Sequence, residues 1–208
     1  MCACMKRQGQ VKYPVVAITG GFGTGKSTVA VFLKKICGAR LISADEIAHK
    51  LARPGTSVYR KIVSAFGKGM IKKDRSIDRL KLAEAAFSSS MLLNKLNRIM
   101  HPEVIRIIKK EIGRKRNKVL LLDVPLLFET GLHRLADKVI VVKATRQQQV
   151  KRILRKSALS EKDVLKRIRA QMPLPEKVRR ADFLIDNSGT LDSTKKQVEN
   201  LRRMLWKN

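Results

Sequence analysis

The chain has 208 residues, 44% of them hydrophobic, which is enough for one substantial core and at most a small additional lobe. Its 46 Lys and Arg residues far outnumber its 17 Asp and Glu residues, and the formal charge of +29 would gather polyanions such as nucleotides, nucleic acids or anionic lipids, without saying which. No apolar run reaches the roughly 18 residues that cross a bilayer, and the N-terminus lacks the apolar stretch of a signal peptide. Only three cysteines are present. We therefore expect a cytoplasmic protein with neither a membrane span nor a disulfide framework.

A glycine-rich loop between a strand and a helix is predicted near the N-terminus. After a flexible leader, residues 1–14, the β-branched apolar run 15–19 predicts a buried strand. From Lys26 the apolar residues recur at helical spacing as far as Gly38, where a helix commonly ends. The residues between match the phosphate-loop (P-loop) pattern G-x4-G-K-[ST] and are Gly20, Gly21, Phe22, Gly23, Thr24, Gly25, Lys26, Ser27 and Thr28.

This loop predicts a nucleotide site. Glycines let successive backbone N–H groups point at phosphate oxygens, and the helix N-terminus adds a partial positive charge. We therefore expect Gly21, Gly23, Thr24, Gly25 and Thr28 to bind ATP, together with Lys26 at its β- and γ-phosphates and the Ser27 hydroxyl on Mg²⁺. The alternative is a turn that binds nothing, and the strand and helix on either side argue against it.

Asp45 follows a second predicted strand, Arg40 to Ser43, and stands at the start of a helix where Ser43 and Glu46 have capping-box spacing. In a parallel sheet this position lies at the carboxyl edge beside the P-loop, where such folds bind ligands. A carboxylate there can orient an attacking hydroxyl and accept its proton during phosphoryl transfer. The alternative is an acid that only interacts favourably with the helix dipole.

The segment from Thr56 to Met100 contains no strand-like run and predicts a helical insertion. Short helices are expected at 58–66, 77–87 and 91–100, and another helix is expected to begin at Pro102, because proline suits a first helical turn. From the residues alone, His101 before this proline is more readily a helix-start residue than a catalyst.

Two further apolar runs, 119–123 and 139–142, are typical of parallel strands covered on both faces. Asp123 ends the first of them and is suited to hold Mg²⁺ directly or through water, although a simple turn former is the alternative. Glu129 either supports the acceptor site or is merely solvated.

Two basic helices, predicted at 147–156 and 160–172, suit a mobile lid over the triphosphate. Its closure would exclude water and neutralise developing charge. The candidate side chains are Arg152, Arg155, Lys156, Arg167 and Arg169. We select Arg155 and Arg167 for contact with ATP and keep Lys156 in reserve; ordinary solvated helix faces are the alternative.

A last strand, 183–186, precedes an amphipathic helix that ends near Leu205. Strands alternating with helices predict an α/β fold with a doubly wound parallel sheet. We divide the chain into the leader and a single P-loop kinase domain. Its core is formed by 15–52, 101–145 and 181–208, with a helical acceptor-binding subdomain at about 53–100 and a lid at about 146–180.

Six blocks in the sequence carry a family resemblance: ITGGFGTGKST (18–28), ISADEIA (42–48), IDR (77–79), LNRIMHP (96–102), DVPLLFE (123–129) and ADFLIDN (181–187). Through these blocks the chain resembles the dephospho-CoA kinase family from about residue 15 to 205. In the lid, where that family commonly has Arg-Asp-Gly, this chain has Lys156-Ser157-Ala158, so that a point charge replaces a planar bidentate donor.

The resemblance implies Mg²⁺-ATP-dependent phosphorylation of the ribose 3′-hydroxyl of dephospho-CoA, the last step of coenzyme A synthesis. It further implies that Asp45 and Lys26 are catalytic, that Arg79 and His101 belong to the acceptor site, and that Asn187 lies near the nucleotide base.

Two rival functions fit parts of the sequence. One is another small-molecule P-loop kinase with a nucleoside or nucleotide acceptor. The other is a nucleotide-gated nucleic-acid-binding module, suggested by the +29 charge but without a visible aromatic RNA-binding motif. We expect dephospho-CoA as the small-molecule partner, no membrane partner, and a monomer or weak homo-oligomer.

Overall fold

A five-stranded parallel sheet forms the centre of the protein. The computed structural model describes residues 13–114 and 117–205, so most of the predicted leader lies outside the described residues. The strand order is β2-β3-β1-β4-β5, with every neighbouring pair parallel. The strands are β1 Val15–Gly20, β2 Arg40–Ser43, β3 Leu120–Asp123, β4 Lys138–Lys143 and β5 Phe183–Asp186. All five predicted strands are present, within one residue at each end.

Nine α-helices surround or extend this sheet within the described residues. They are α1 Lys26–Cys37, α2 Ala44–Leu51, α3 Ser57–Phe66, α4 Arg79–Ser88, α5 Ser90–Gly113, α6 Arg146–Leu154, α7 Glu161–Arg169, α8 Leu174–Arg179 and α9 Leu191–Leu205. Short 3-10 helices occupy Lys68–Met70 and Leu132–Leu135. None of the helices in the described part of the chain combines the length and the apolar composition that crossing a membrane requires.

The alternation of side chains along the strands divides the main core into two layers. Val15 and Ala17 of β1 point to one face, where they pack with α2, the C-terminal half of α5, and α8. Val16 and Ile18 point to the opposite face, where they pack with α1 and α9. Because both faces are covered, the strands are apolar without interruption. The predicted doubly wound parallel α/β fold is confirmed.

A third, smaller core lies in the helical insertion. It is built around Val58 and Ile62 of α3, Ile77, and Leu82 of α4, with Leu96 and other residues from the N-terminal half of α5 packed against it. The insertion therefore has an apolar centre of its own beside the sheet.

The expectation that a helix begins at Pro102 is wrong. Helix α5 runs without interruption from Ser90 to Gly113, with Pro102 inside it. A proline in a helix interior lacks one N–H donor and costs about 3 kcal/mol. Packing on both sides of the proline offsets this cost, since Leu96 and Ile99 are held by the insertion core while Val104 and Ile108 are held by the sheet.

Other element boundaries differ because local caps decide them. The helix expected from Ile77 begins at Arg79, since the carboxylate of Asp78 accepts hydrogen bonds from the first backbone N–H groups. The helix expected to reach Met172 ends at Arg169. The short helix α8, which was not predicted, follows immediately and packs on the sheet through Leu174 and Val178.

Candidate active site

The P-loop joins β1 to α1 and has a defined conformation. Gly23 and Gly25 adopt φ angles of 80° and 84°, in the left-handed region that residues with a Cβ rarely enter. The buried Thr24 between them donates from its backbone N–H and from Oγ1 to the carbonyl of Gly21, at 3.2 and 3.0 Å. The loop therefore curls before the first turn of α1, as binding of phosphate by backbone N–H groups requires.

The outer side of the loop is braced by a polar network. The Asn187 side chain donates from Nδ2 to the Thr24 carbonyl at 2.8 Å, and its Oδ1 accepts from Thr194 Oγ1 at 2.8 Å. Arg152 donates to the same Thr24 carbonyl at 3.2 Å and to the Asn187 carbonyl at 2.7 Å. Satisfied buried networks rigidify their surroundings, so these contacts favour the curled shape of the loop.

A buried ion pair joins the P-loop to the end of β3. The ammonium of Lys26 donates to the carboxylate of Asp123, and both residues are less than a tenth exposed. Asp123 stands there because β3 lies directly beside β1, with Ile18 and Asp123 in register. The sequence separates these two charges by 97 residues, and only the sheet order brings them together.

Asp45 lies at the same edge of the sheet, in the first turn of α2. It follows β2, whose last residue, Ser43, is in register with Asp123, and the Ser43 side chain caps the helix through the Glu46 N–H. Although Asp45 is exposed, loss of hydration beside the surrounding protein atoms raises the pKa of its carboxyl. The charge of Lys26 acts in the lowering direction and that of Asp123 in the raising direction, which places Asp45 within electrostatic reach of both.

The edge also offers oxygen donors for a hard cation. Ser27, the exposed second residue of α1, follows Lys26, and Asp123 is the partner of that lysine. Mg²⁺ is usually held by one or two protein oxygens together with waters and phosphate oxygens, rather than by an all-protein cage. The described residues contain no group of three or more His, Cys, Asp or Glu side chains placed to hold a metal ion. A hydroxyl and a carboxylate therefore fit Mg²⁺ that arrives with ATP.

A second polar cluster lies close to this edge and centres on Lys177 of α8. Its side chain is fully buried, and its ammonium donates to the Pro125 carbonyl at 2.7 Å and pairs with Glu129 Oε1 at 2.9 Å. Burial lowers the pKa of Lys177, while the hydrogen bond and charge of Glu129 act in the opposite direction. His101 of α5 is near enough to feel Glu129: burial lowers the pKa of this imidazole and the Glu129 charge raises it.

The side chains selected in the predicted lid do not meet at the P-loop. Arg155, at the end of α6, lines a cleft formed by α6 and α7, together with Lys151 and Glu161. Arg167 of α7 lies over the ring of Phe87 in α4, 5.1 Å from its centroid, and thus touches the helical insertion. Lys156 is exposed just beyond α6. Contact of these side chains with ATP stays a prediction.

The other predicted site residues are distributed as follows. Arg79 is the exposed first residue of α4, in the insertion. Thr28 lies in the first turn of α1 and donates its backbone N–H to the Gly25 carbonyl at 3.0 Å. Asn187, expected near the nucleotide base, uses both ends of its amide to brace the loop, as described above; its contact with the base stays a prediction.

Two residues that the structure brings to this site, Arg152 and Lys177, were not selected from the sequence. Arg152 was only one of several basic candidates, but it lies three residues after Gln149, which is buried beside the P-loop, and this spacing places both on one helix face. Lys177 was not singled out at all. Its signal was its position three residues after Leu174 and one before Val178, both of which pack on the sheet, so that the lysine faces the core.

The chain is similar to dephospho-CoA kinases over nearly its whole length. The family model described as dephospho-CoA kinase matches residues 14–193. A dephospho-CoA kinase of Carboxydothermus hydrogenoformans is 41% identical over 199 residues, which cover 94% of this chain and 96% of that protein. One from Bacillus licheniformis is 41% identical over 190 residues, covering 90% of this chain and 94% of that protein.

Solved structures are also similar to this chain over nearly its whole length. The fold matches that of a protein from Thermus thermophilus with a TM-score of 0.76 at 33% identity, covering 94% of this chain and all (100%) of that one. It matches the dephospho-CoA kinase from Campylobacter jejuni with a TM-score of 0.64 at 29% identity, covering 94% and 99%. A shikimate kinase from Acinetobacter baumannii, only 13% identical, shares the fold with a TM-score of 0.57 and coverage of 93% of each chain.

Proposed function

The chain belongs to the dephospho-CoA kinase family, and from this premise we propose how its own residues carry out the reaction. The protein transfers a phosphate from ATP to dephospho-CoA in coenzyme A synthesis. The attacking group is the ribose 3′-hydroxyl: a bond forms between its oxygen and the γ-phosphorus, the bond from that phosphorus to the β-phosphate oxygen breaks, and ADP leaves.

The P-loop and Lys26 hold the donor. The backbone N–H groups of the curled loop and the N-terminus of α1 bind the phosphates of ATP. The Lys26 ammonium has three N–H donors and uses one for Asp123, which leaves donors for the β- and γ-phosphates. Asp123 thereby fixes the position of the lysine before the nucleotide enters.

Asp45 is the base of the reaction. Its carboxylate orients the acceptor hydroxyl and accepts its proton as the phosphoryl group is transferred. The raised pKa of Asp45 makes it a better proton acceptor than an ordinary aspartate, provided that it is ionised at the working pH.

Ser27 and Asp123 would hold Mg²⁺, and the ion would neutralise charge that develops on the phosphates. Arg79 and the uncharged imidazole of His101 would bind the acceptor, and Arg155 and Arg167 would complete the donor site when the lid closes. A cytoplasmic location and a monomeric or weakly associated state remain predictions from the sequence.

One observation carries this proposal above the others. Under a P-loop that is already curled, the Lys26–Asp123 ion pair lies within electrostatic reach of a carboxylate with a raised pKa. This arrangement at the carboxyl edge of the sheet supports the proposal that Lys26 holds the donor and Asp45 acts as the base, because in-line transfer to a hydroxyl needs both close together.

The test is incubation of the purified chain with Mg²⁺-ATP and dephospho-CoA, with mass spectrometry of the product. We expect coenzyme A and ADP in equal amounts, no product with EDTA, and no comparable turnover of a nucleoside panel. Lys26→Ala should weaken ATP binding in calorimetry and lower the rate. Faster turnover of a nucleoside than of dephospho-CoA, or unchanged ATP affinity in Lys26→Ala, would contradict the assignment.

A further inference from the structure

A buried lysine outside the P-loop is the least expected charged group in the structure. Lys177 has no exposed surface, although lysine is almost never fully buried without a partner. Removing an ammonium from water costs several kcal/mol, and a buried ion pair often contributes less to stability than apolar residues of the same volume would. Fold stability alone therefore gives little reason for a lysine at this position.

The contacts of Lys177 all converge on the segment that begins with Asp123. Its ammonium donates to the carbonyl of Pro125, two residues after Asp123, at 2.7 Å. The same carbonyl accepts from the Thr19 hydroxyl at 3.1 Å, and Thr19 is the residue before the P-loop. Lys177 and the end of β1 thus hold one carbonyl from two sides.

Glu129, at the other end of this segment, connects it to the root of the lid. Its Oε1 pairs with Lys177 at 2.9 Å and also accepts from the backbone N–H of Met172 at 2.9 Å. Met172 lies within the predicted lid, between α7 and helix α8, which packs on the sheet; we call this junction the lid root. The Glu129 charge also reaches His101.

We propose that Lys177 is a positioning residue for phosphoryl transfer: through the Pro125 carbonyl and Glu129 it holds the segment 123–129 in place and ties it to the lid root at Met172. The inference rests on the proposed function of Asp123. Lys177 has no surface through which to touch a substrate, so it acts on the reaction by fixing where the Asp123 carboxylate meets Lys26 and by giving the lid a rigid base.

This role differs from simple packing in what it predicts for kinetics. A packing residue changes stability, and its loss lowers the rate in proportion to the unfolded fraction. A residue that positions Asp123 changes the rate of the chemical step in molecules that remain folded, because misplacement by about 1 Å can cost about 100-fold.

The experiment compares Lys177→Met, Glu129→Gln, the double variant, and Lys138→Met as the matched control. Methionine keeps the four-atom unbranched stem of lysine and lacks only the terminal ammonium. Lys138 is also paired with a carboxylate, that of Asp182 at 3.2 Å, but it is exposed and stands at the opposite end of the sheet. Each variant is assayed for kcat, KM for both substrates and Tm, at a temperature where it is fully folded.

For Lys177→Met we expect kcat about 100-fold lower, corresponding to about 2.7 kcal/mol of barrier, with KM for ATP within about threefold of the unchanged chain. The double variant should be no slower than Lys177→Met, because both substitutions break the same connection. Lys138→Met should keep its kcat. Hydrogen exchange, followed by mass spectrometry, should become faster in peptides covering 123–129 and Met172 in Lys177→Met and in the double variant, but not in Lys138→Met.

Two results would overturn the proposal: a kcat within about threefold of the original in fully folded Lys177→Met, or unchanged exchange in both peptides. If the unchanged chain fails to make coenzyme A, the proposed function falls, whereas the exchange measurement still decides whether Lys177 holds the segment.

Discussion

At the scale of single residues, the chemistry depends on charges that modify one another at the carboxyl edge of the sheet. Asp45 is pulled toward its neutral form by loss of hydration and by the Asp123 charge, and toward its ionised form by Lys26. The net effect is a raised pKa. Lys26 is itself paired with Asp123, so that Asp45 lies in the field of an ion pair.

We predict that Asp45→Asn lowers kcat by several powers of ten while ATP binding is kept and Tm is kept or raised, each tenfold loss being about 1.4 kcal/mol of barrier. Because the folded pKa is raised, ionised Asp45 costs stability above its unfolded pKa, and the neutral amide removes this cost. Rate assays, calorimetry with ATP, and thermal unfolding check the three parts. Turnover near the original value would remove Asp45 from the mechanism.

The pH profile provides a second prediction for the same residue. Protonated Asp45 cannot accept a proton, so kcat should fall as the pH is lowered through its pKa. Because that pKa is raised, the fall should lie at higher pH than the value of about 3.9 for an ordinary aspartate. In Asp45→Asn the residual rate should lose this dependence. An acid limb that persists unchanged in the variant would assign it to another group.

At the scale of elements, the backbone conformation of the P-loop leaves no room for a side chain at Gly25. A Cβ added there would meet Asn187 Nδ2 at 2.1 Å, and φ is +84°. The Asn187 amide would have to leave the Thr24 carbonyl, and the brace of the loop would be lost.

We therefore predict that Gly25→Ala weakens ATP binding at least about tenfold, or by about 1.4 kcal/mol, measured by calorimetry. Gly38→Ala is the matched control, since Gly38 also has a positive φ, +58°, but open space around its Cβ position. It should lose about 1–2 kcal/mol of stability from backbone strain and keep its ATP affinity. Equal effects of the two substitutions on ATP binding would mean that strain, rather than the contact with Asn187, is responsible.

Helix α5 joins the helical insertion to the sheet. Its N-terminal half packs in the insertion core and its C-terminal half packs on the sheet. Its continuity through Pro102 costs one backbone hydrogen bond at the residue after His101.

Pro102→Ala should raise the free energy of unfolding by about 1–2 kcal/mol, because the restored N–H outweighs the greater entropy of the unfolded chain. Urea unfolding measures this change. Pro54→Ala, in the turn between α2 and α3, is the control and should be neutral or slightly destabilising. A loss of stability in Pro102→Ala would show that the helix is bent at this point and needs the proline.

At the scale of the whole molecule, the net charge of +29 lowers the stability of the fold and raises the affinity for anions. Repulsion among like charges destabilises the compact state, and the same field attracts the anionic nucleotide. Salt weakens both effects.

Raising NaCl from about 30 mM to about 300 mM, which shortens the screening length from roughly 18 to roughly 6 Å, should increase the free energy of unfolding without ligand and decrease the affinity for ATP. Urea titrations and calorimetry check the two signs, and sucrose of equal osmolality is the control for effects of solute exclusion. If salt lowers the stability, local ion pairs outweigh the net repulsion.

Much of this protein is determined by short stretches of its sequence. The five strands follow from continuous apolar runs, and the P-loop from glycine spacing between one of those runs and a helical period. Asp45 and Asp123 could be placed at one edge because Asp45 follows a strand and Asp123 ends one, and parallel strands end on the same side. These features depend on interactions between near neighbours in the chain, which is why pattern alone predicts them.

Only the tertiary structure decided which charges meet. The tertiary contacts are the pairing of Lys26 with Asp123, the burial of Lys177 against Glu129, the hydrogen bond of Arg152 to the P-loop, and the passage of α5 through Pro102. All of them depend on partners distant in sequence. Burial and long-range contact set the energy of a charge or of a missing hydrogen bond, and neither is present in a local pattern. Packing on both sides of α5, for example, overrides a local preference worth about 3 kcal/mol.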